Sequence, residues 1–235
     1  MEAKTVVDGL FWFLAFLFST SIHEAAHAFV AMRSGDPTAY HGGQVSISPL
    51  PHIRREPIGM VLVPLVTALT RGWAMGWASA PFDPAWADRY PRRAALMAAA
   101  GPASNFLIAL VAWGGLRLGL ALDVFTMPYE ISYSHLVDYV SGGPKGASAF
   151  LAQALSVLVM LNVLLGSFNL LPVPPLDGAS AITLLLPDSI ADRFRAVTNS
   201  MQFSFLGLFV AWQIFPPIAR PLFRLVVKSL YPGHF

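Results

Sequence analysis

An all-α polytopic membrane protein with four to six transmembrane segments is the fold class predicted for this 235-residue sequence. Three observations predict it. Asp, Glu, Lys and Arg make up only 12% of the chain, where a soluble domain runs near about 25%. Hydrophobic residues reach 55%, with a mean hydropathy of +0.59. Three charge-free stretches, 94–116, 146–176 and 196–219, each exceed the ~20 residues that a helix needs to cross a bilayer. So few charges cannot cover the surface of a water-soluble globule, and no charged block is long enough to form a large soluble appendage.

The net charge of +2 does not point to nucleic acid. The basic residues sit in short clusters beside apolar runs, among them Arg54-Arg55, Arg92-Arg93 and Arg220-Arg224-Lys228, as at membrane edges. Cysteine is absent, so a metal would have to be held by His, Asp or Glu.

Along the chain, the first segment, 9–32, is predicted to be a retained membrane helix whose second half carries His23, Glu24 and His27. From Tyr40 to Pro49 the texture changes. Gly42-Gly43 is followed by Val45 and Ile47 alternating with Gln44, Ser46 and Ser48, a strand signature. A small membrane-embedded β-hairpin or sheet is therefore expected near residues 40–50. The apolar run 58–70 contains Pro64 and fits a tilted short span, a re-entrant segment or the end of a strand region.

The positive-inside rule puts 71–93, with Arg71, Arg89, Arg92 and Arg93, in the cytosol. The segment 117–147 carries Asp123, Glu130 and Asp138 against Arg117 and Lys145, and goes outside. The 94–116 helix then runs outward, the next one returns, Arg193 and Arg195 lie inside, and the last span leaves again. No internal repeat is visible, so an inverted-repeat transporter gains no support.

His23-Glu24-Ala25-Ala26-His27 reads H-E-x-x-H. On a helix, positions i and i+4 share a face, so both imidazoles reach one ion while Glu24 lies one residue round. That suits Zn²⁺ with two His ligands, an open position and a carboxylate as general base. Two His and a Glu at membrane depth are costly, and by default functional. For a third ligand Asp177 stands out. It follows Pro172-Val173-Pro174-Pro175-Leu176, where three prolines forbid a continuous helix, and it precedes Gly178. The other role open to Asp177 is capping the helix that starts at Gly178.

These motifs, with Gly101-Pro102-Ala103-Ser104-Asn105 and Asn169 eight residues before Asp177, resemble the site-2 protease family of intramembrane zinc metalloproteases. The likeness covers residues 9–190, in the family's motif order. It implies one Zn²⁺ per chain on His23, His27 and Asp177, with Glu24 activating water. It also implies substrate contact by Asn169, Asn105 beside the site, and an extended substrate held along the Gly43, Gln44 and Val45 strand. The outer loop is short for a PDZ module and no nucleotide-sensing CBS pair is read, so the likeness is to the compact branch. That branch's Gly-Trp-Ala-Lys-Pro run here reads Gly72-Trp73-Ala74-Met75-Gly76, without the Lys.

The resemblance further implies a single protease domain over 1–235, with its core at 9–190 and a C-terminal span and tail at 196–235. It would lie in the cell membrane of a prokaryote, its site toward the cytosol. Its partners would be the lipid bilayer and single-pass transmembrane substrates, cut within or next to the membrane in regulated intramembrane proteolysis. A homo-oligomer stays open. Two rival readings use the same residues: a protein that binds transmembrane helices without cutting them, and a metal transporter. A transporter gives no reason for Glu24 beside the His pair.

Overall fold

The computed structural model describes residues 3–140, 145–198 and 201–233. Residues 141–144 of the expected outer loop and 199–200 of the expected last span lie outside the described residues. Helix α1 (Ala3–Arg33) is followed by two short helices, α2 (Thr38–His41) and α3 (Pro49–Arg55). A π-helical turn (Ile58–Leu62) continues into α4 (Val63–Arg71), and an extended stretch, 72–83, leads to α5 (Pro84–Arg89) and α6 (Pro91–Ala121). Two short strands, β1 (Phe125–Thr126) and β2 (Asp138–Tyr139), pair antiparallel before α7 (Lys145–Asn169). After a broken stretch come α8 (Asp177–Ala181), a 3₁₀ turn (Ile182–Leu185), α9 (Asp188–Thr198) and α10 (Met201–Leu230).

Among the described residues, four helices are long and apolar enough to cross a membrane: Lys4–Arg33, Pro91–Ala121, Gly146–Asn169 and Ser204–Leu230. The all-α polytopic class and a small two-stranded sheet both stand. Helix α6 shows why these helices associate. Its buried positions Ala95, Ala98, Gly101, Asn105, Ala109, Ala112, Leu116 and Gly119 recur every three or four residues and form one stripe. Most are small, so the backbones of α1 and α7 approach closely, which is how helices pack where lipid supplies no hydrophobic drive. The other face turns Leu107, Leu110 and Val111 outward, Val111 being 69% exposed. Such a surface is at home in hydrocarbon and would be costly in water.

The core fills around Trp12 and Phe16 of α1, Leu116 of α6, Val157, Met160 and Leu161 of α7, and Val226 and Leu230 of α10. Polar pegs fix the end opposite the H-E-x-x-H motif. The Trp12 indole donates to the Ser134 hydroxyl (2.9 Å), Tyr231 donates its hydroxyl to the Leu136 carbonyl (2.8 Å), and Arg117 donates to the Leu230 carbonyl (2.6 Å).

Two expectations are corrected here. The sheet does not lie near residues 40–50, where no strand forms. The Asp36 carboxylate accepts from the Thr38 N–H (3.0 Å) and starts α2. Gly43, at φ +73°, then ends that helix. Its N–H donates to the Tyr40 carbonyl and the Gln44 N–H to the Ala39 carbonyl (both 2.9 Å), the paired bonds of a Schellman cap. The serines that alternated with Val45 and Ile47 serve turns instead. Ser46 accepts from the Ser48 N–H, and Ser48 caps α3 through the Leu50 N–H.

The second correction concerns 58–93. Helix α4 runs antiparallel to α1, with Ala68 against Gly9 and Gly72 beside Thr5, so Arg71 lies at the far end of α1 from His23. The chain then returns extended. Gly76 packs between Gly59 and Phe16, and the Asp83 N–H donates to Asp36 (2.8 Å). The segment 58–83 is therefore a re-entrant loop, helical one way and extended back, and only the part near 83–93 sits at the His23 end. Met75 donates its N–H to the Thr67 hydroxyl (3.0 Å) and Trp77 donates to the Gly59 carbonyl (3.1 Å), which pins the return strand to the helical arm.

Candidate metal centre

Ser19, His23 and His27 stand on successive turns of one face of α1, all buried. Across from them the prolines end α7 at Asn169 and turn the chain back through 170–176, with a cis peptide between Pro174 and Pro175. Asp177 opens α8 as its first residue, with Leu176 at the cap position. The Asp177 carboxylate faces the imidazoles: Oδ2 is 3.1 Å from Nε2 of His23, and Oδ1 is 3.3 Å from Nε2 of His27. The two Nε2 atoms are 3.0 Å apart. Residues 150 or more positions apart thus meet, with all ligand atoms within 4.8 Å of one another.

The far side of each ring decides what the near side offers. The His27 Nδ1 lies 2.7 Å from the Met97 carbonyl, which can only accept, so Nδ1 carries a proton and the neutral ring presents its lone pair at Nε2. For His23 the argument runs through two amides. The Leu158 carbonyl must accept, so the amide nitrogen of Asn162 donates to it (2.9 Å) and to the Ser19 hydroxyl (2.8 Å). The Asn162 oxygen then accepts from the Asn105 amide nitrogen (2.9 Å). The Asn105 oxygen is left to accept from Nδ1 of His23 (2.6 Å). His23, when neutral, therefore also turns the lone pair of its Nε2 inward. A backbone carbonyl on α7 thereby fixes a histidine tautomer on α1.

In the neutral, Nδ1-protonated form both imidazoles thus present Nε2 lone pairs that converge with the carboxylate. In apolar surroundings such a set is stabilised by a cation, and Nε2, Nε2 and a carboxylate oxygen form a donor set that zinc accepts with a coordination position to spare. The Asp177 Oδ2 atom is buried and, with His23 neutral, no donor satisfies it, which agrees with this. Gly101 of α6 backs the centre: a Cβ there would collide with the Nε2 atoms of both His23 and His27. The residues present fit a divalent metal.

The centre opens on a cleft of about 940 Å³ lined by His23, Glu24, Asn169 and Asp177, by Thr20 and Phe16 of α1, and by α10 residues such as Phe209 and Trp212. One wall is the return strand, Met75 to Ser79. The N–H groups of Met75 and Trp77 turn to the helical arm, and the alternation of an extended chain would turn those of Gly76 and Ala78 to its other side.

The sequence-predicted residues divide accordingly. His23, His27 and Asp177 come together, and Glu24 and Asn169 reach the same cleft. Asn105 is buried behind His23 and does not line the cleft. Gly43, Gln44 and Val45 lie in and after the Schellman cap and do not line it either. Asn162 and Ser19 were missed. The available signal was a buried-depth amide within a charge-free run, seven residues before Asn169, and a hydroxyl four residues before His23.

Residues 11–210 match the model of peptidase family M50. The chain is 30% identical over 198 residues to "Putative zinc metalloprotease YwhC" of Bacillus subtilis (strain 168), covering 84% of this chain and 78% of that protein. It is 27% identical over 210 residues to "Putative zinc metalloprotease Rip2" of Mycolicibacterium smegmatis (strain ATCC 700084 / mc(2)155), covering 89% of this chain and 69% of the relative. No solved structure matches.

Proposed function

The chain belongs to peptidase family M50 and is a membrane metalloendopeptidase; from that premise we propose that it cuts single-pass transmembrane proteins within or next to their membrane segments. The work would be done by one protease domain spanning 1–235, using one Zn²⁺ held by His23, His27 and Asp177. The observation that carries the reading is the convergence of those three groups, the histidines buried and the aspartate half-buried, beside a cleft that His23, Asp177 and Glu24 line.

Zinc bound there would supply Lewis acidity and bring a water molecule's pKa down toward neutrality. Glu24 takes a proton from the attacking water as its oxygen bonds to the scissile carbonyl carbon. It passes that proton to the departing nitrogen as the C–N bond breaks. Asn169 lines the cleft and steadies the substrate by its amide. A substrate helix hides its carbonyls, so the cut requires a few residues to unwind. The N–H groups of Gly76 and Ala78 offer such a segment a strand edge, so the clamp expected at Gly43–Val45 is assigned to the return strand.

The reading sets the protein in a prokaryotic cell membrane. The end bearing Arg33, Arg54, Arg55, Arg92 and Arg93 would be cytosolic, so the centre would open toward that side. The assay is cleavage of a reconstituted transmembrane substrate. Glu24→Gln is expected to keep its zinc and to lose about 10²–10⁴-fold in rate. Undiminished cleavage by that variant rejects the mechanism, and metal flux that survives it supports a transporter instead.

A further inference from the structure

A second cavity of about 810 Å³ adjoins the cleft and shares with it Phe16, Met75, Gly76, Leu165, Phe168 and Trp212. The two form one groove between α1, α7, α10 and the return strand, leading from the metal centre to the other end of the molecule. There the lining changes character. Lys4 from the start of α1, Arg71 from the end of α4 and Arg220 from α10 converge on it from three separate parts of the chain. All three are exposed, and no ion pair engages any of them among the described residues. Among the described residues the cavity's one acidic lining residue, Asp8, is engaged elsewhere: the Gln153 amide donates to it (2.5 Å), and His135 lies 3.3 Å away.

We propose that Lys4, Arg71 and Arg220 recognise acidic residues flanking the substrate's membrane segment at the end remote from the cut. This rests on the proteolytic reading above and adds a specificity rule to it. Three cations around an apolar groove select an occupant that is apolar along its length and anionic at one tip. A polypeptide is the occupant whose other end must enter the cleft. Lys4 and His23 are 19 positions apart on one helix, a rise of about 28 Å. A substrate that is helical over most of that distance and extended beside Gly76 and Ala78 would carry its acidic flank about 15–19 residues from the scissile bond.

A charge swap in proteoliposomes of neutral phosphatidylcholine tests this. Three versions of one model substrate carry Asp-Glu, Gln-Gln or Lys-Lys at the remote flank. Wild type is expected to prefer the acidic over the basic flank by about fivefold to tenfold in kcat/KM. Arg71→Gln/Arg220→Gln should erase the order, and Arg71→Glu/Arg220→Glu should reverse it. Equal cleavage of the three substrates by wild type overturns the proposal, as does an unchanged order in the reversed variant. A requirement for anionic phospholipid that is independent of the flank also overturns it and assigns the cations to a lipid headgroup. Cleavage of the Gln-Gln substrate by wild type but not by Glu24→Gln tests the proteolytic reading separately. If no substrate is cut, photo-crosslinking from the remote flank to Trp73 decides: crosslinks that favour the acidic flank support the proposal, and their absence rejects it.

Discussion

At the scale of single residues, Gly101 is the most demanding position outside the ligand set. The side of α6 that meets the two imidazoles has room for a hydrogen and nothing larger. Gly101→Ala is expected to push both rings out of register and lose the metal, at about 1–3 kcal/mol of overpacking. Gly114, on the same helix with open space around it, is the control, and Gly114→Ala should leave zinc content unchanged. Metal analysis of the purified variants checks both. Asp36 is a second such residue, at the metal-centre end and outside the spans. Burial pushes its carboxyl upward, but the Thr38 hydroxyl, the Asp83 N–H and the Thr38 N–H outweigh that and hold it below the usual range. A carboxylate held below its unfolded value of about 4 stabilises the fold above that pH, and the contribution is lost as pH falls through the folded value. Asp36→Asn presents an amide N–H to the Asp83 N–H and should cost about 1.5–3 kcal/mol near neutrality. Melting curves in detergent across pH should show wild type losing this increment on acidification and the variant lacking it throughout.

At the scale of elements, the hydrogen-bonded chain Leu158–Asn162–Asn105–His23 joins α7, α6 and α1. Asn162→Leu keeps the volume and removes the link that orients the Asn105 amide, so the His23 tautomer is no longer enforced. Outer partners of metal-binding histidines contribute about 10–100-fold to affinity. Chelator competition should show zinc held that much more weakly, and unchanged affinity would mean that Asn105 orients His23 unaided. The same elements show what the sequence made legible. Helices α6 and α7 and the H-E-x-x-H face were readable because absence of charge and i, i+4 spacing are properties of one segment. Asp177 was readable because prolines forbid helix before it. The Asn162 partnership was not, since it depends on the rotation of α7 against α6, which hydropathy does not encode. Gly42-Gly43 misled because a hairpin and a Schellman cap both call for a glycine at positive φ. The choice fell to the Asp36 carboxylate, which starts a helical turn just upstream. The return strand was hidden by its composition: Gly72 to Ser79 has neither β-branched residues nor polar alternation, and it is held extended by Thr67 and Gly59.

At the scale of the whole molecule, the described bundle has two chemically distinct ends. The metal centre, α8 and α9 lie at one, and the two-stranded sheet with the Lys4, Arg71 and Arg220 cluster lies at the other. The charge distribution along the sequence assigns the first end to the cytosol, but the re-entrant course of 58–83 moves Arg71 to the opposite end and so removes one of the arginines on which that assignment was first based. The orientation therefore needs a direct test, and the absence of cysteine makes one simple. Tyr129, in the loop between β1 and β2, is fully exposed, and Leu185 beside α8 is 81% exposed. In intact cells a membrane-impermeant maleimide should label Tyr129→Cys and spare Leu185→Cys until the membrane is permeabilised. The reverse pattern would put the catalytic cleft on the outer side. It would also exchange the flanks of any substrate, so that the acidic tip contacted by Arg71 and Arg220 would have to be its cytosolic one.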